Sequence, residues 1–111
     1  MTTGSDLDRR VIIERYVVVG DDGYGNEVSE WQPLATVAAA RRDVSDSERF
    51  AYGGIVSVIL RRFIIRALGP QADVKGTDRL LYEDMVWNIL GVKETKEGRN
   101  RFLEITAQAE G

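Results

Sequence analysis

The sequence predicts an all-β protein: a small six-stranded antiparallel barrel or two-sheet sandwich. Two blocks about fifty residues apart each have the pattern of two strands closed by a tight polar turn, and about six such strands are separated by short turns. A chain of 111 residues that is 43% hydrophobic is suited to one domain with one core. We therefore expect a single domain over residues 9–111, preceded by a flexible, small and acidic N-terminal arm over residues 1–8.

The first block predicts a hairpin. Residues 10–19 are dense in β-branched side chains, as strands are, and residues 20–26 supply the Gly, Asp and Asn that a turn requires. The returning strand begins at residues 28–31, and Pro33 predicts a bulge or an edge position before residues 34–40 resume it.

A long connection follows, residues 43–54, between the second and third predicted strands. Ser45 and Glu48 have capping-box spacing, which favours a short helical turn, and Gly53-Gly54 would end it. Loops of this length in small barrels are often functional.

The remaining chain supplies the other strands. Residues 55–68 form a long third strand with apolar side chains on both faces, which suggests a second packing partner, and residues 69–76 form a polar connection. A hairpin is predicted with strands at residues 80–82 and 85–92 around Glu83-Asp84, followed by a charged turn over residues 93–100 and a last strand at 101–108.

Composition excludes several function classes. Both signs of charge are mixed at a net charge of −3, whereas a DNA-coating protein needs a basic excess. Without cysteine there is neither a disulfide framework nor a thiolate metal site, and without histidine the commonest metal ligand and general base are missing. We expect no cofactor and no metal. No apolar run is long enough to cross a bilayer and residues 2–8 do not resemble a signal peptide, so we expect no membrane association and folding in the cytoplasm.

No pattern of side chains predicts an enzyme. Residues 21–27 are rich in oxygen ligands but lack the ligand spacing of an EF-hand, so a plain turn is the favoured interpretation. The carboxylate pairs Glu83/Asp84 and Asp43/Asp46 are adjacent or in turns, where solvated carboxylates are the usual finding. The glycines match no phosphate-cradling spacing.

The arginines of the third strand allow two interpretations. Arg61, Arg62 and Arg66 beside Phe63 resemble a single-stranded nucleic-acid surface, which is the pattern of an OB-type binding protein. Successive strand residues point to opposite faces, however, so Arg61 and Arg62 cannot line one groove. Salt bridges to a neighbouring strand or subunit are the favoured prediction for these side chains.

The order of motifs resembles that of the head–tail joining (head-closure, or stopper) proteins of tailed bacteriophages. The resemblance covers residues 7–108, and it departs from the family at the long apolar stretch 59–66 and at Arg41-Arg42. The motifs that carry it are Arg10-Val11-Ile12-Ile13, the turn 22–26, Trp31, the small residues 36–40, the excursion with residues 48–52, Phe63-Ile64-Ile65-Arg66, Asp78-Arg79-Leu80, Val86-Trp87-Asn88-Ile89 and residues 102–106.

The resemblance implies a structural protein of the virion neck, assembled in the bacterial host cytoplasm. It implies a ring of copies, often dodecameric, between the portal–adaptor complex and the tail or tail-terminator protein, through which packaged double-stranded DNA passes without sequence-specific binding. The loop between the second and third strands would project into the channel: acidic residues would repel phosphates, aromatic residues would close the hole, and the glycine pair would let the loop swing. These channel-loop candidates are Asp43, Asp46, Glu48, Phe50, Tyr52, Gly53 and Gly54.

Subunit-interface candidates are arginines, namely Arg41, Arg42, Arg62 and Arg66. Two alternatives remain open at this point. One is a tail-completion or tail-terminator ring, and the other is the OB-type nucleic-acid-binding protein.

Overall fold

The structure is a computed structural model that describes residues 7–43, 58–97 and 100–110. In this part of the chain it has strands and one 3-10 helix, Gly69–Asp73. The strands are β1 Arg9–Asp21, β2 Glu27–Asp43, β3 Val58–Arg66, β4 Arg79–Tyr82, β5 Met85–Glu97 and β6 Asn100–Glu110.

The six strands form a closed antiparallel barrel in the order β1-β2-β3-β6-β5-β4. The predicted fold class is therefore confirmed. Closure removes the free sheet edges that an open sheet of this size would expose.

The barrel interior is filled by side chains that alternate along the strands. Phe63 lies near its centre, with its ring centroid 5.3 Å from that of Tyr82 and 5.6 Å from that of Trp87, both in edge-to-face geometry. The largest fully buried side chains are Trp87, Phe63, Phe102, Ile13, Ile65, Leu80, Ile105 and Val11. Leu103, Ile105 and Ala107 of β6 point into this core.

A second, smaller apolar cluster lies outside the barrel wall. Ile64 and Phe102 point outward from β3 and β6, and Leu7 covers them together with Ala40. The second apolar face of β3 is thus covered in part by the chain itself. Leu7 belongs to the predicted N-terminal arm, whose residues 1–6 lie outside the described residues, so the division at residue 8 stays a prediction.

The β1–β2 hairpin extends past the barrel wall. Strand β4 pairs with β1 only at residues 12–14, and β3 pairs with β2 only at residues 39–43. Residues 15–31 are therefore paired mainly with each other. They are distinct from the predicted N-terminal arm of residues 1–8, and we call them the arm from here on. The radius of gyration of 15.5 Å exceeds the ~13 Å expected for a compact chain of this length, in keeping with this projection.

The structure bears out some predicted boundaries and changes others. The β1–β2 pairing skips Leu34, so the bulge predicted beside Pro33 is confirmed. The charged turn predicted over residues 93–100 is mostly strand, because the β5–β6 ladder continues to the Glu97–Asn100 pair. Within the polar connection 69–76, Gly69–Asp73 forms a 3-10 helix with Pro70 in its first turn. No helix in the described ranges is long and apolar enough to span a membrane.

Candidate assembly interface

The root of the arm is fixed by an arginine. Arg15 donates to both carboxylate oxygens of Asp78 at 3.0 Å, and its Nη1 and Nη2 donate to the side chain and backbone carbonyl of Asp73 at 3.1 and 2.9 Å. These bonds, first from Asp78 and then from Asp73, raise the pKa of Arg15 above its ordinary value. We call the contacts of Arg15 with Asp73 and Asp78 the clamp. The clamp holds β1 against residues 73–78, which precede β4.

The outer side of the arm root is held by a second set of contacts. Arg79 donates from Nε to Oε1 of Glu14 at 2.7 Å, and its guanidinium carbon lies 4.2 Å from the ring centroid of Trp31. Trp31 in turn lies 5.1 Å from Tyr16, centroid to centroid. The arm is therefore attached to the barrel on both of its faces.

The tip of the arm is a turn, as predicted, held by its own acids. The Asp22 carboxylate accepts hydrogen bonds from the side chain of Asn26 (2.9 Å) and from the backbone N–H groups of Tyr24 and Asn26 (2.8 and 3.2 Å). These donors, Asn26 first, hold the pKa of Asp22 below its ordinary value. Gly23 and Gly25 adopt positive φ of 83° and 87°, a conformation that disfavours other residues.

The arm exposes large apolar side chains to solvent. Val18 is 58% exposed and Tyr24 is 89% exposed. Tyr16, Val19 and Val28 are also exposed. Such a concentration on one projecting hairpin makes the arm a candidate interaction surface.

Three of the predicted interface arginines share the outer face of the barrel. Arg42 lies directly opposite Arg62 across the β2–β3 ladder, and Arg66 is opposite Phe102 of the outer cluster. Arg62 approaches Glu104 of β6, with Nε 3.2 Å from Oε1, so its predicted salt bridge to a neighbouring strand is confirmed. Arg10 of β1 is exposed on the same face. We call Arg10, Arg42, Arg62 and Arg66 the arginine face.

Arg41 and Arg61 lie elsewhere. Arg41 pairs with the buried Phe63, so it is on the inner side of β2 and does not share the arginine face. The guanidinium carbon of Arg61 lies 5.4 Å from the ring centroid of Trp87, and its Nε is 3.6 Å from Asp43. Arg61 and Arg62 therefore point to opposite sides of β3, as strand geometry predicts.

The channel-loop candidates are only partly visible. Asp43 is the last residue of β2 and marks the end of the barrel from which the loop departs. The other candidates, Asp46, Glu48, Phe50, Tyr52, Gly53 and Gly54, lie outside the described residues.

The polar groups of the described residues are engaged mainly in structural contacts. A shallow cavity of about 430 Å³ beside the arm root is lined by Arg15, Tyr16, Trp31, Lys75, Thr77 and Asp78. Two of the charged residues that line it, Arg15 and Asp78, form a salt bridge with each other. Within these ranges no three His, Cys, Asp or Glu side chains are grouped as metal ligands.

Sequence reasoning missed the clamp and the Arg79–Glu14–Trp31 contacts. Asp78 and Arg79 stand out only as part of the motif at the start of β4. Their partners are 63 and 65 positions away, and no local pattern identifies them.

Two solved structures are similar to the whole barrel. The solution structure of protein SF1141 from Shigella flexneri 2a matches with a TM-score of 0.70 and 25% identity, covering 99% of this chain and 97% of that one. A chain from a structure described as the virion of a native gene transfer agent particle matches with a TM-score of 0.66 and 25% identity, covering 94% of each chain. No curated protein matches the chain.

A family model extends the comparison to function. The model described as phage head completion protein matches residues 3–110, nearly the whole chain. Proteins of this family are structural components of the phage virion. The chain therefore belongs to the phage head completion protein family.

Proposed function

We propose that the chain closes the DNA-filled phage head by forming a ring between the portal–adaptor complex and the tail. In this role, about twelve copies surround the channel, retain the packaged DNA and let it pass on ejection, as the family resemblance implies. The observation that carries the proposal is the match of the head completion family over residues 3–110. It includes the barrel, the arm and the β2–β3 connection together.

Two surfaces of the barrel support a ring. The arm exposes Val18 and Tyr24 to solvent, and the arginine face concentrates positive charge on the outer wall. Neither surface is needed to close the barrel, because its core lies on the inner side of the strands. Surfaces of this kind are typical of protein interfaces.

The β2–β3 loop is the element we assign to DNA retention. It leaves the barrel after Asp43, and residues 43–54 carry three acids and two aromatic side chains. Acidic side chains would keep phosphates from adhering to the channel, and Phe50 and Tyr52 of neighbouring copies would pack to close it. The net charge of −3 is compatible with DNA that slides without sticking.

The proposed role is mechanical: no enzymatic step, cofactor or membrane contact is part of it. Assembly would take place in the bacterial host cytoplasm. The partners would be other copies of the chain, the portal or adaptor protein on the head side, and the tail or tail-terminator protein on the other side.

Two other functions predict different experimental results. A tail-terminator ring has the same kind of barrel but would limit tail length. An OB-type nucleic-acid-binding protein would bind single strands, with an affinity that falls steeply as salt increases.

Deletion of the gene in the phage or particle-producing strain tests the proposal. We expect heads that package DNA and then lose it, as nuclease sensitivity would show, together with unattached tails of normal length. Overlong tails would indicate the terminator role instead. Particles that remain normal and infectious would rule out any completion role.

A further inference from the structure

We propose that the arm of one copy docks on the arginine face of the next copy around the ring. The inference rests on the proposed ring and identifies the two surfaces through which it would close. The proposed contact is heterologous, because two different surfaces meet, one from each copy.

Beyond Arg15 at its root, every charged side chain of the arm is acidic. Residues 16–31 contain Asp21, Asp22, Glu27 and Glu30 and no lysine or arginine, and all four acids are exposed. Asp22 stays ionised while it organises the turn, because the hydrogen bonds from Asn26 and Tyr24 lower its pKa. The arm thus presents negative charge on a preorganised hairpin.

The arm also exposes apolar side chains. Val18 and Val19, which lie at a bulge in the β1–β2 ladder, are 58% and 47% exposed. Tyr24 at the tip is the most exposed large hydrophobic side chain of the described residues. A hairpin of this composition gains both apolar burial and charge pairing when it lies on a basic surface.

The arginine face has the complementary charge. Arg10, Arg42 and Arg66 are exposed there, and Lys93 extends the positive charge to β5, opposite Glu104. Glu104 is the acid that approaches Arg62 within this face. Exposed Ala38 lies opposite Arg10, and its short side chain leaves space for an approaching hairpin.

The arm of a molecule cannot reach its own arginine face. Both surfaces are carried by strand β2, with Glu30 in the arm and Arg42 on the face. Twelve positions of extended chain separate them by about 40 Å along the strand. The complementary surface must therefore come from another molecule. Repetition of a contact between two different surfaces builds a ring when the rotation closes.

Crosslinking in assembled particles tests the contact, and the chain suits this test because it contains no cysteine. A chain with both Glu27→Cys and Arg66→Cys is supplied to particles that lack the natural protein, and the particles are treated with a short bis-maleimide. We expect a ladder of covalent multimers beyond the dimer. Each single-cysteine variant is the control, because one cysteine per chain allows dimers at most.

Charge exchange provides the second readout. The arm variant Glu27→Lys/Glu30→Lys and the face variant Arg42→Glu/Arg66→Glu should each reduce infectious particles by about tenfold or more, because like charges then meet. A chain carrying both variants should recover most of the loss. Glu83→Lys/Asp84→Lys, the same change in net charge at two exposed acids of the β4–β5 turn, is the matched control for the arm variant and should have no effect.

The outcomes separate this inference from the proposed function. If particles with the double-cysteine chain retain DNA but give only monomers and dimers, the arm–face contact is wrong although the completion role stands. If the face variant alone is defective, is not rescued by the arm variant, and the purified wild-type protein binds duplex DNA in a salt-dependent way, the arginine face is a DNA surface and the inference is overturned.

Discussion

Arg15 and Asp78 form a bidentate ion pair in which Nε and Nη2 of Arg15 donate to Oδ1 and Oδ2 of Asp78, each at 3.0 Å. The Asp78 side chain is 1% exposed, whereas that of Arg15 is 26% exposed. Asp78 also accepts the backbone N–H of Lys75 at 2.8 Å. The pair therefore links the arm root to the segment before β4 and sets the direction in which the arm leaves the barrel.

Removal of this carboxylate should destabilise the fold. We expect Asp78→Ala to lower the free energy of unfolding by about 2–3 kcal/mol, because three partly buried hydrogen bonds to one charged group are lost. Urea denaturation followed by fluorescence would measure it. Asp73→Ala is the control: its side chain is 64% exposed, so its contribution should be ~0–1 kcal/mol. Equal effects of the two variants would show that the pair does not hold the arm.

The two tryptophans should differ in their contribution to stability. Trp87 is buried in the core beside Phe63, so Trp87→Ala should lower the free energy of unfolding by about 3–5 kcal/mol. Trp31 is only half-buried and contacts Arg79 and Tyr16, so Trp31→Ala should cost about 1–2 kcal/mol. Chemical denaturation of both variants in the same buffer measures the difference. A larger loss for Trp31→Ala would contradict the assignment of the core.

The β4–β5 turn can be made more stable. Glu83 and Asp84 both have positive φ, 52° and 61°, which disfavours residues other than Gly and Asn. Glu83→Asn/Asp84→Gly should therefore raise the free energy of unfolding by about 1–2 kcal/mol. Gly69→Ala, at φ 59°, is the opposite control and should lower it by about 1 kcal/mol. No stabilisation by the first variant would mean that the turn has a different backbone.

The tip of the arm should loosen in acid. Since the folded pKa of Asp22 is below its ordinary 3.8, its stabilising effect is complete above that value and is lost as pH falls through the folded pKa. Protection of the Tyr24 amide, measured by hydrogen exchange relative to the intrinsic rate, should decline from about pH 5 to pH 2. In Asp22→Asn this decline should be absent. The same decline in both proteins would assign the acid effect to another group.

The aromatic pair of the proposed channel loop should matter for DNA retention and little for folding. Phe50→Ser/Tyr52→Ser should yield particles whose packaged DNA becomes accessible to nuclease, while the thermal transition of the purified protein changes little. A large fall in Tm would show that these side chains belong to the core and do not close a channel. Ala51→Ser, which lies between them, is the matched control.

Much of the fold could be predicted because strand patterns are local. The Asp and Gly residues of 21–25 identify the first turn, and Pro33 marks the bulge through the donor it lacks. The length of the β5–β6 ladder is not predictable in this way, because the charged residues 93–97 indicate a turn when considered alone. In the structure they are strand residues beyond the core, supported by cross-strand pairs such as Arg101–Glu94 at 2.7 Å.

The candidate site was less predictable. The shared face of Arg62 and Arg66 follows from the alternation of a strand and could be stated in advance. The placement of Arg41 on the inner side, and of Leu7 over Ile64 and Phe102, depends on register between distant strands. The projection of the arm likewise depends on how short β4 is compared with β1. None of these relationships leaves a local pattern in the sequence.

Imaging of assembled particles at a resolution that traces this barrel tests the central claim most directly. The account predicts copies of the barrel side by side in a closed ring at the neck, between portal–adaptor and tail, with residues 43–54 directed to the channel axis. Barrels found elsewhere in the particle, or as isolated copies away from the DNA channel, would contradict it.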